Sequence, residues 1–256
     1  GAYISGRGAM SPVNNQPALA GTYKTPAIHV RVRGMFTNTV PTDVYRGAGR
    51  PEAIYLLERL IDKAADQLNI DRVEIRRKNI IPPNALPYKT PLGLTYDSGE
   101  FEKNLDEGLS QIDWQGFESR RVESATRGRK RGIGLANYVE RCGHGVTQDV
   151  ELKVSSDGRV TVLIGTMSNG QGHETAYAQI TSELLGVDFE NVEVIQGNTD
   201  LIANGKGTGG SWSIPVGGAA MSAAANVIID KAKTIAGHML EAASVDIEFS
   251  EGSFTV

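Results

Sequence analysis

Apolar residues recur in this chain with two different periods. Ile54, Leu57, Leu60, Ile61, Ala64 and Leu68 repeat at three- and four-residue steps, which predicts an amphipathic helix of about five turns. Pro51 and Glu52, just ahead of it, suit a first helical turn. A second short helix is expected over 70–79, capped by Asp71 and stopped by Pro82 and Pro83. Phe101, Leu105 and Leu109 predict a helix over 100–112, and Trp114 and Phe117 anchor another. Period-two alternation over 28–36 predicts a strand with one wet face. Residues 1–27 and 84–99, rich in Gly, Pro and small polar residues, read as irregular chain.

From Gly132 the pattern changes. Strands are expected at 133–139, 148–154 and 159–164, the last two joined through a turn at Ser156, Asp157 and Gly158. After the apolar run 160–164 comes a small, polar turn from Gly165 to Gly172. A helix over 174–185 follows, through Ala178, Thr181 and Leu185. A strand at 191–195, a long polar loop over 196–213, an alanine-rich helix over 215–240 and a final hairpin over 245–256 complete the chain. Sheets and helices alternate irregularly, so the expected class is α+β, with mixed β-sheets packed with helices. Two subdomains are expected, 1–130 and 131–256, with the arginine-rich run 120–131 as a solvated helix end and linker.

Composition narrows the function classes. The net charge is -4 and aromatic residues make up 6%, which speaks against a nucleic-acid surface or a base-stacking platform. A single cysteine, Cys142, excludes an internal disulfide and a cysteine-cluster metal site, and fits a reducing, cytoplasmic setting. No apolar run reaches the roughly 18–20 residues of a membrane span. The chain begins without methionine or a signal pattern, which suggests an internal piece of something longer. The histidines are His29, His144, His173 and His238, and no pair has ligand spacing on one helix.

Three loops share one design, small residues leading into a helix start: 45–50, 168–175 and 205–213. Gly170 and Gly172 let backbone N–H groups approach an electron-rich ligand, and the helix behind them aims its positive end at the same place. Gln171, His173 and Thr175 add side-chain donors. A plain strand-to-helix turn explains the same spacing. The third loop also spells the dinucleotide fingerprint at Gly205, Gly207 and Gly210, with Asp230 about twenty residues on. Its context is wrong, because a polar stretch separates it from the preceding strand and Asp230 falls inside a helix. A dinucleotide-binding enzyme is the weakest of the readings.

Taken in order, these loops resemble those of the molybdenum-cofactor-binding large subunit of the xanthine dehydrogenase and aldehyde oxidase family. The likeness is strongest to the branch labelled carbon monoxide dehydrogenase large chain. Tyr45, Arg46, Gly47, Ala48, Gly49 and Arg50 are similar to the family's loop beside the metal. Asn169 to Thr175 is similar to its Gly-Gln-Gly cofactor loop, and Gly207 to Ser213 to a third loop of small and hydroxyl residues. The resemblance implies a molybdopterin cofactor, in its cytosine dinucleotide form, that itself holds the molybdenum, so no protein metal ligand is expected. It implies Arg46, Gly47 and Gly210 near the metal centre, and Gly170, Gln171, Gly172, His173, Thr175 and Ser211 along the pterin or its nucleotide tail. Asn137 or Tyr138 would face the substrate.

The implied reaction is hydroxylation of an aldehyde or nitrogen heterocycle with water as oxygen source. Electrons would pass to an iron–sulfur small subunit and an FAD medium subunit, in an oligomeric enzyme. The family's base glutamate is not matched here, so no catalytic residue is assigned and the chain alone is expected to be inactive. The carbon monoxide branch carries a cysteine that holds copper in the first loop; this chain has none between Tyr45 and Arg50. A scaffold module that has lost catalysis is the rival reading.

Overall fold

Apolar spacing becomes helix in this protein wherever a cap or a packed partner supports it. The computed structural model describes residues 1–143 and 146–256, which divide into two units, Gly1–Glu140 and Arg141–Val256. In the first unit, a short helix α1 (Met10–Asn14) and a 3-10 turn (Gln16–Ala20) lie in the stretch expected to be irregular. Helix α2 (Arg50–Leu68) carries Pro51 and Glu52 in its first turn and stops at Asn69, whose φ is +51°. The Asp71 carboxylate caps α3 (Arg72–Asn79), accepting the N–H groups of Val73 at 2.8 Å and Glu74 at 3.0 Å. Such a cap contributes about 0.5–2 kcal/mol. A two-residue hairpin, β1 (Tyr88–Lys89) with β2 (Thr95–Tyr96), interrupts the irregular region before α4 (Phe101–Gln111) and α5 (Phe117–Thr126). Tyr23, Val73, Ile80, Ile81, Tyr96, Phe101 and Leu105 form the apolar core.

Two expected strands do not form. Residues 28–36 have no regular structure and are mostly exposed. Alternation makes a strand only when a neighbour accepts its N–H groups, and among the described residues no segment pairs with this one. Residues 133–139 are also irregular, for a different reason: side chains take their backbone groups. Arg76 Nη2 donates to the Leu135 carbonyl (3.2 Å), the Asn137 N–H donates to Glu58 (3.1 Å), and the Thr22 hydroxyl donates to the Asn137 carbonyl (3.3 Å).

The second unit is built on a three-stranded mixed sheet. Strands β3 (Val150–Val154) and β4 (Val160–Ile164) pair antiparallel, Leu152 opposite Val162, through the turn at Gly158, whose φ is +83°. The chain then crosses through α6 (His173–Leu185) to β5 (Val192–Ile195), which pairs parallel to β4 with Val162 opposite Val194. Helix α7 (Ser213–Met239) follows, and then a hairpin, β6 (Glu248–Ser250) with β7 (Ser253–Thr255). Val162, Ile164, Tyr177 and Met221 form the centre of the core. Helix α7 is long and apolar enough to cross a membrane by length and composition alone. It nonetheless buries Met221 and Ala225 in this unit's core. The fold is α+β.

Candidate functional site

In the second unit, the turn after β4 is strapped to the loop before α7. A Cβ on Gly165 would lie 2.6 Å from the Cα of Gly205, so the two backbones touch because both residues are glycine. The Gly207 N–H donates to the Gly165 carbonyl at 3.0 Å. Thr208 completes the strap: its Oγ1 receives the Met167 N–H (3.3 Å), its hydroxyl donates to the Met167 carbonyl (2.6 Å), and it meets Ser213 Oγ at 3.0 Å. Trp212 Nε1 donates to the Gly207 carbonyl at 3.1 Å. Gly207, Gly210 and Ser211 all have positive φ. The second and third loops are therefore one surface.

Helix α6 begins on that surface without a side-chain cap. Gly172, at φ +74°, is its N-cap, and the first intrahelical bond runs from Ala176 N–H to the Gly172 carbonyl. The N–H groups of His173, Glu174 and Thr175 thus have no intrahelical acceptor. Gly170 and Gly172 have open space where a Cβ would stand. Gln171, Gly172 and Thr175 are exposed, and the Asn169 N–H engages Gln171 Oε1, leaving the Gln171 amide NH2 outward as a donor.

The His173 side chain turns inward. Its ring is buried and packs on Tyr177 at a centroid distance of 5.5 Å. Nδ1 faces Gln196 Nε2 at 3.4 Å. Burial pushes its pKa down, against the pull of Glu174, so the ring is neutral. With Nδ1 accepting, the proton sits on Nε2, an assignment made from the hydrogen bond. The His173 backbone N–H is one of the three donors left open at the start of α6.

Beneath this surface runs a directed chain of hydrogen bonds. The Gln196 amide donates to Thr166 Oγ1, the Thr166 hydroxyl to the Tyr177 oxygen (3.0 Å), and the Tyr177 hydroxyl to the Ser213 carbonyl (2.8 Å). Burial raises the Tyr177 pKa, although these two partners oppose the shift. Gln196 Oε1 is buried with no partner. Sequence reasoning missed Thr166, Gln196 and Thr208. The available signal was Tyr177, one helical turn from His173 on the same face.

In the first unit, the loop at 45–50 has three consecutive residues at positive φ: Gly47 (+89°), Ala48 (+48°) and Gly49 (+98°). A Cβ on Gly49 would overlap the Ser11 carbonyl, so only glycine fits there. Asn15 Nδ2 donates to the Ala48 carbonyl, and the Arg50 N–H donates to the Gly47 carbonyl at 3.0 Å. Tyr45 and Arg46 are exposed. Of the two residues expected near substrate, Asn137 is buried and donates to the Phe101 carbonyl (3.3 Å), whereas Tyr138 is 55% exposed. A cavity of about 350 Å³ lies beside α4, lined by Leu105, Leu109, Trp114 and Leu135 among others, and no residue of the 45–50 loop lines it.

Among the described residues no group of three or more His, Cys, Asp or Glu is placed to hold a metal ion. Cys142 is exposed, and His144 lies outside the described residues. The dinucleotide fingerprint fails in three dimensions too, since β5 ends at Ile195 and Asp230 lies within α7.

Two family models, both described as a molybdopterin cofactor-binding domain, match residues 107–256 and 1–80. The carbon monoxide dehydrogenase large chain of Hydrogenophaga pseudoflava is 37% identical over 93% of this chain and 32% of that protein. The 6-hydroxypseudooxynicotine dehydrogenase complex subunit gamma of Paenarthrobacter nicotinovorans is 35% identical over 92% of this chain and 30% of that protein. The crystal structure of quinoline 2-oxidoreductase from Pseudomonas putida 86 superposes with a TM-score of 0.84 at 32% identity, covering 97% of this chain and 33% of its own. The chain thus spans about a third of the length of the relatives it matches.

Proposed function

This chain belongs to the molybdopterin cofactor-binding domain family, and from that premise we propose that it supplies cofactor-holding loops to a molybdenum hydroxylase. The supporting observation is the donor surface of the second unit. The uncapped start of α6, the open glycines at 170 and 172 and the exposed amide of Gln171 offer hydrogen-bond donors. That donor set fits a group rich in acceptor atoms, such as a pterin with phosphate-linked nucleotide, here taken as the cytosine dinucleotide form. When bound, the molybdenum centre supplies two-electron oxidation of a carbon centre with oxygen from water. The chain's own residues bind and orient: Gln171, Gly172, Thr175 and the His173 N–H on one surface, and Arg46 and Gly47 on the 45–50 loop. Gly210 and Ser211 shape the third loop. Electrons would leave to iron–sulfur and FAD partner subunits.

The proposed substrate is an aldehyde or a nitrogen heterocycle, not carbon monoxide. Two relatives are named for quinoline and for 6-hydroxypseudooxynicotine. The 45–50 loop carries no sulfur, and copper(I) favours thiolate or thioether donors. Metal and pterin analysis of the full-length enzyme tests this reading. Stoichiometric molybdenum without copper, lost on Gln171→Ala together with Gly172→Val, is the expected result. A fully assembled protein free of molybdenum would show a scaffold, and copper at parity with molybdenum would show the substrate class to be wrong.

A further inference from the structure

We infer that Glu140 is a positioning residue for the 45–50 loop, acting through Arg50. The inference rests on the proposed role of that loop in holding the cofactor. Arg50 is both the last residue of the loop and the first of α2, and it is only 8% exposed. A buried guanidinium there is unfavourable twice over: it has left water, and it sits at the positive end of a nineteen-residue helix. Its Nε is buried with no hydrogen-bond partner. Glu140 offsets this by placing a carboxylate oxygen 2.8 Å from Arg50 Nη2.

Glu140 is exposed, but the backbone leading to it is held. Three residues earlier, the Asn137 N–H is held by Glu58, and the Leu135 carbonyl by Arg76, both in the core of the same unit. The ion pair therefore ties the loop end to a fixed point. The loop requires such a tie. Ala48 at φ +48° is a strained position for a residue with a Cβ, and such conformations persist only where their surroundings over-determine them. Asn15 grips the Ala48 carbonyl from one side, and Arg50 closes the loop from the other through its N–H to the Gly47 carbonyl. If the guanidinium swings out to water, that closing bond and the presentation of Arg46 and Gly47 go with it.

The test compares Glu140→Gln, Glu140→Asp and Leu105→Ala in the full-length enzyme. Leu105→Ala is a core truncation in the same unit that leaves both side chains of the ion pair unchanged. Amide hydrogen exchange over residues 46–50 of cofactor-free protein is read first, then molybdenum content and the molybdenum electron-spin signal of the loaded enzyme. Glu140→Gln is expected to speed exchange of the 48 and 50 amides about tenfold, the signature of easier local opening, and to alter the spin signal. Glu140→Asp recovers part of both effects, and Leu105→Ala lowers the melting temperature without either. Unchanged exchange in Glu140→Gln, or equal acceleration in Leu105→Ala, overturns the inference. A wild-type enzyme that holds no molybdenum would instead remove the cofactor reading, while the exchange comparison still decides the clamp.

Discussion

The two units bury polar groups in opposite ways. In the first, Arg76 is fully enclosed and pairs with Glu58 at 2.9 Å and Asp62 at 3.0 Å. Its Nη1 also donates to the Arg72 carbonyl, and its Nη2 is shared with the carbonyls of Glu58 and Leu135, while Glu58 also receives the Tyr23 hydroxyl at 2.7 Å. In the second, Gln196, Thr166, Tyr177 and His173 form a network with no formal charge. Removing a partner from a buried charge costs more than removing one from a neutral group, so the first cluster holds its segments firmly. The neutral network tolerates a loose end, Gln196 Oε1, at a cost of about 1–3 kcal/mol. The difference suits their neighbours: charge fixes the scaffold behind the 137–140 segment, and the neutral network lies under the donor surface without adding a charge to it.

The largest expected effect comes from breaking the charged side. Glu58→Leu leaves Arg76 with an incomplete set of acceptors and should destabilise the first unit by about 3–5 kcal/mol. Trp114 lies in that unit and Trp212 in the other, so urea unfolding followed by the fluorescence of each indole, the other replaced by Phe, separates the two. A loss under about 1 kcal/mol would mean the cluster is dispensable. On the neutral side, Tyr177→Phe removes the link between Thr166 and the Ser213 carbonyl. It should cost the second unit about 1–3 kcal/mol in the same assay; no change would show that water replaces the hydroxyl.

The smallest effect is in pH dependence: a buried histidine gives the second unit an acid limb, and buried tyrosines give both units an alkaline one. The folded pKa of His173 is depressed by burial, so at low pH the unfolded chain binds the extra proton first. The second unit should lose stability as pH falls below the usual histidine value of about 6.5, and His173→Gln should flatten that limb. Tyr23 and Tyr96 are shifted upward by burial, Tyr96 to about 12. Their contribution holds below the unfolded tyrosine value of about 10 and fades as pH rises above it. An acid limb confined to the Trp114 signal would contradict this assignment.

What the sequence made legible was what depends on near neighbours. Helices α2, α3 and α6 follow from three- and four-residue spacing and from Pro51, Asp71 and the glycines at 170 and 172, all within a turn of the helix they start. The 28–36 stretch was misread because alternation describes a strand's faces and not its partner. The donor loops were legible as glycine positions. The inward turn of His173 was not, because Gln196, 23 residues away, sets it. Nothing about an alanine announces the positive φ at position 48, and Arg50 meets Glu140 across a separation of 90 positions in sequence.

The mixed sheet of the second unit carries an order of assembly within it. Strands β3 and β4 meet across a short turn, a closure that takes microseconds. Strand β5 reaches β4 only after α6 has been laid down, and such non-local pairing comes late because its loop-closure entropy is lost before any contact compensates. The backbone contact of Gly165 with Gly205 bridges segments on either side of that second event. A partly made chain therefore has its hairpin but not its donor surface, so under the proposed function the cofactor's loops are presented only once this unit has folded.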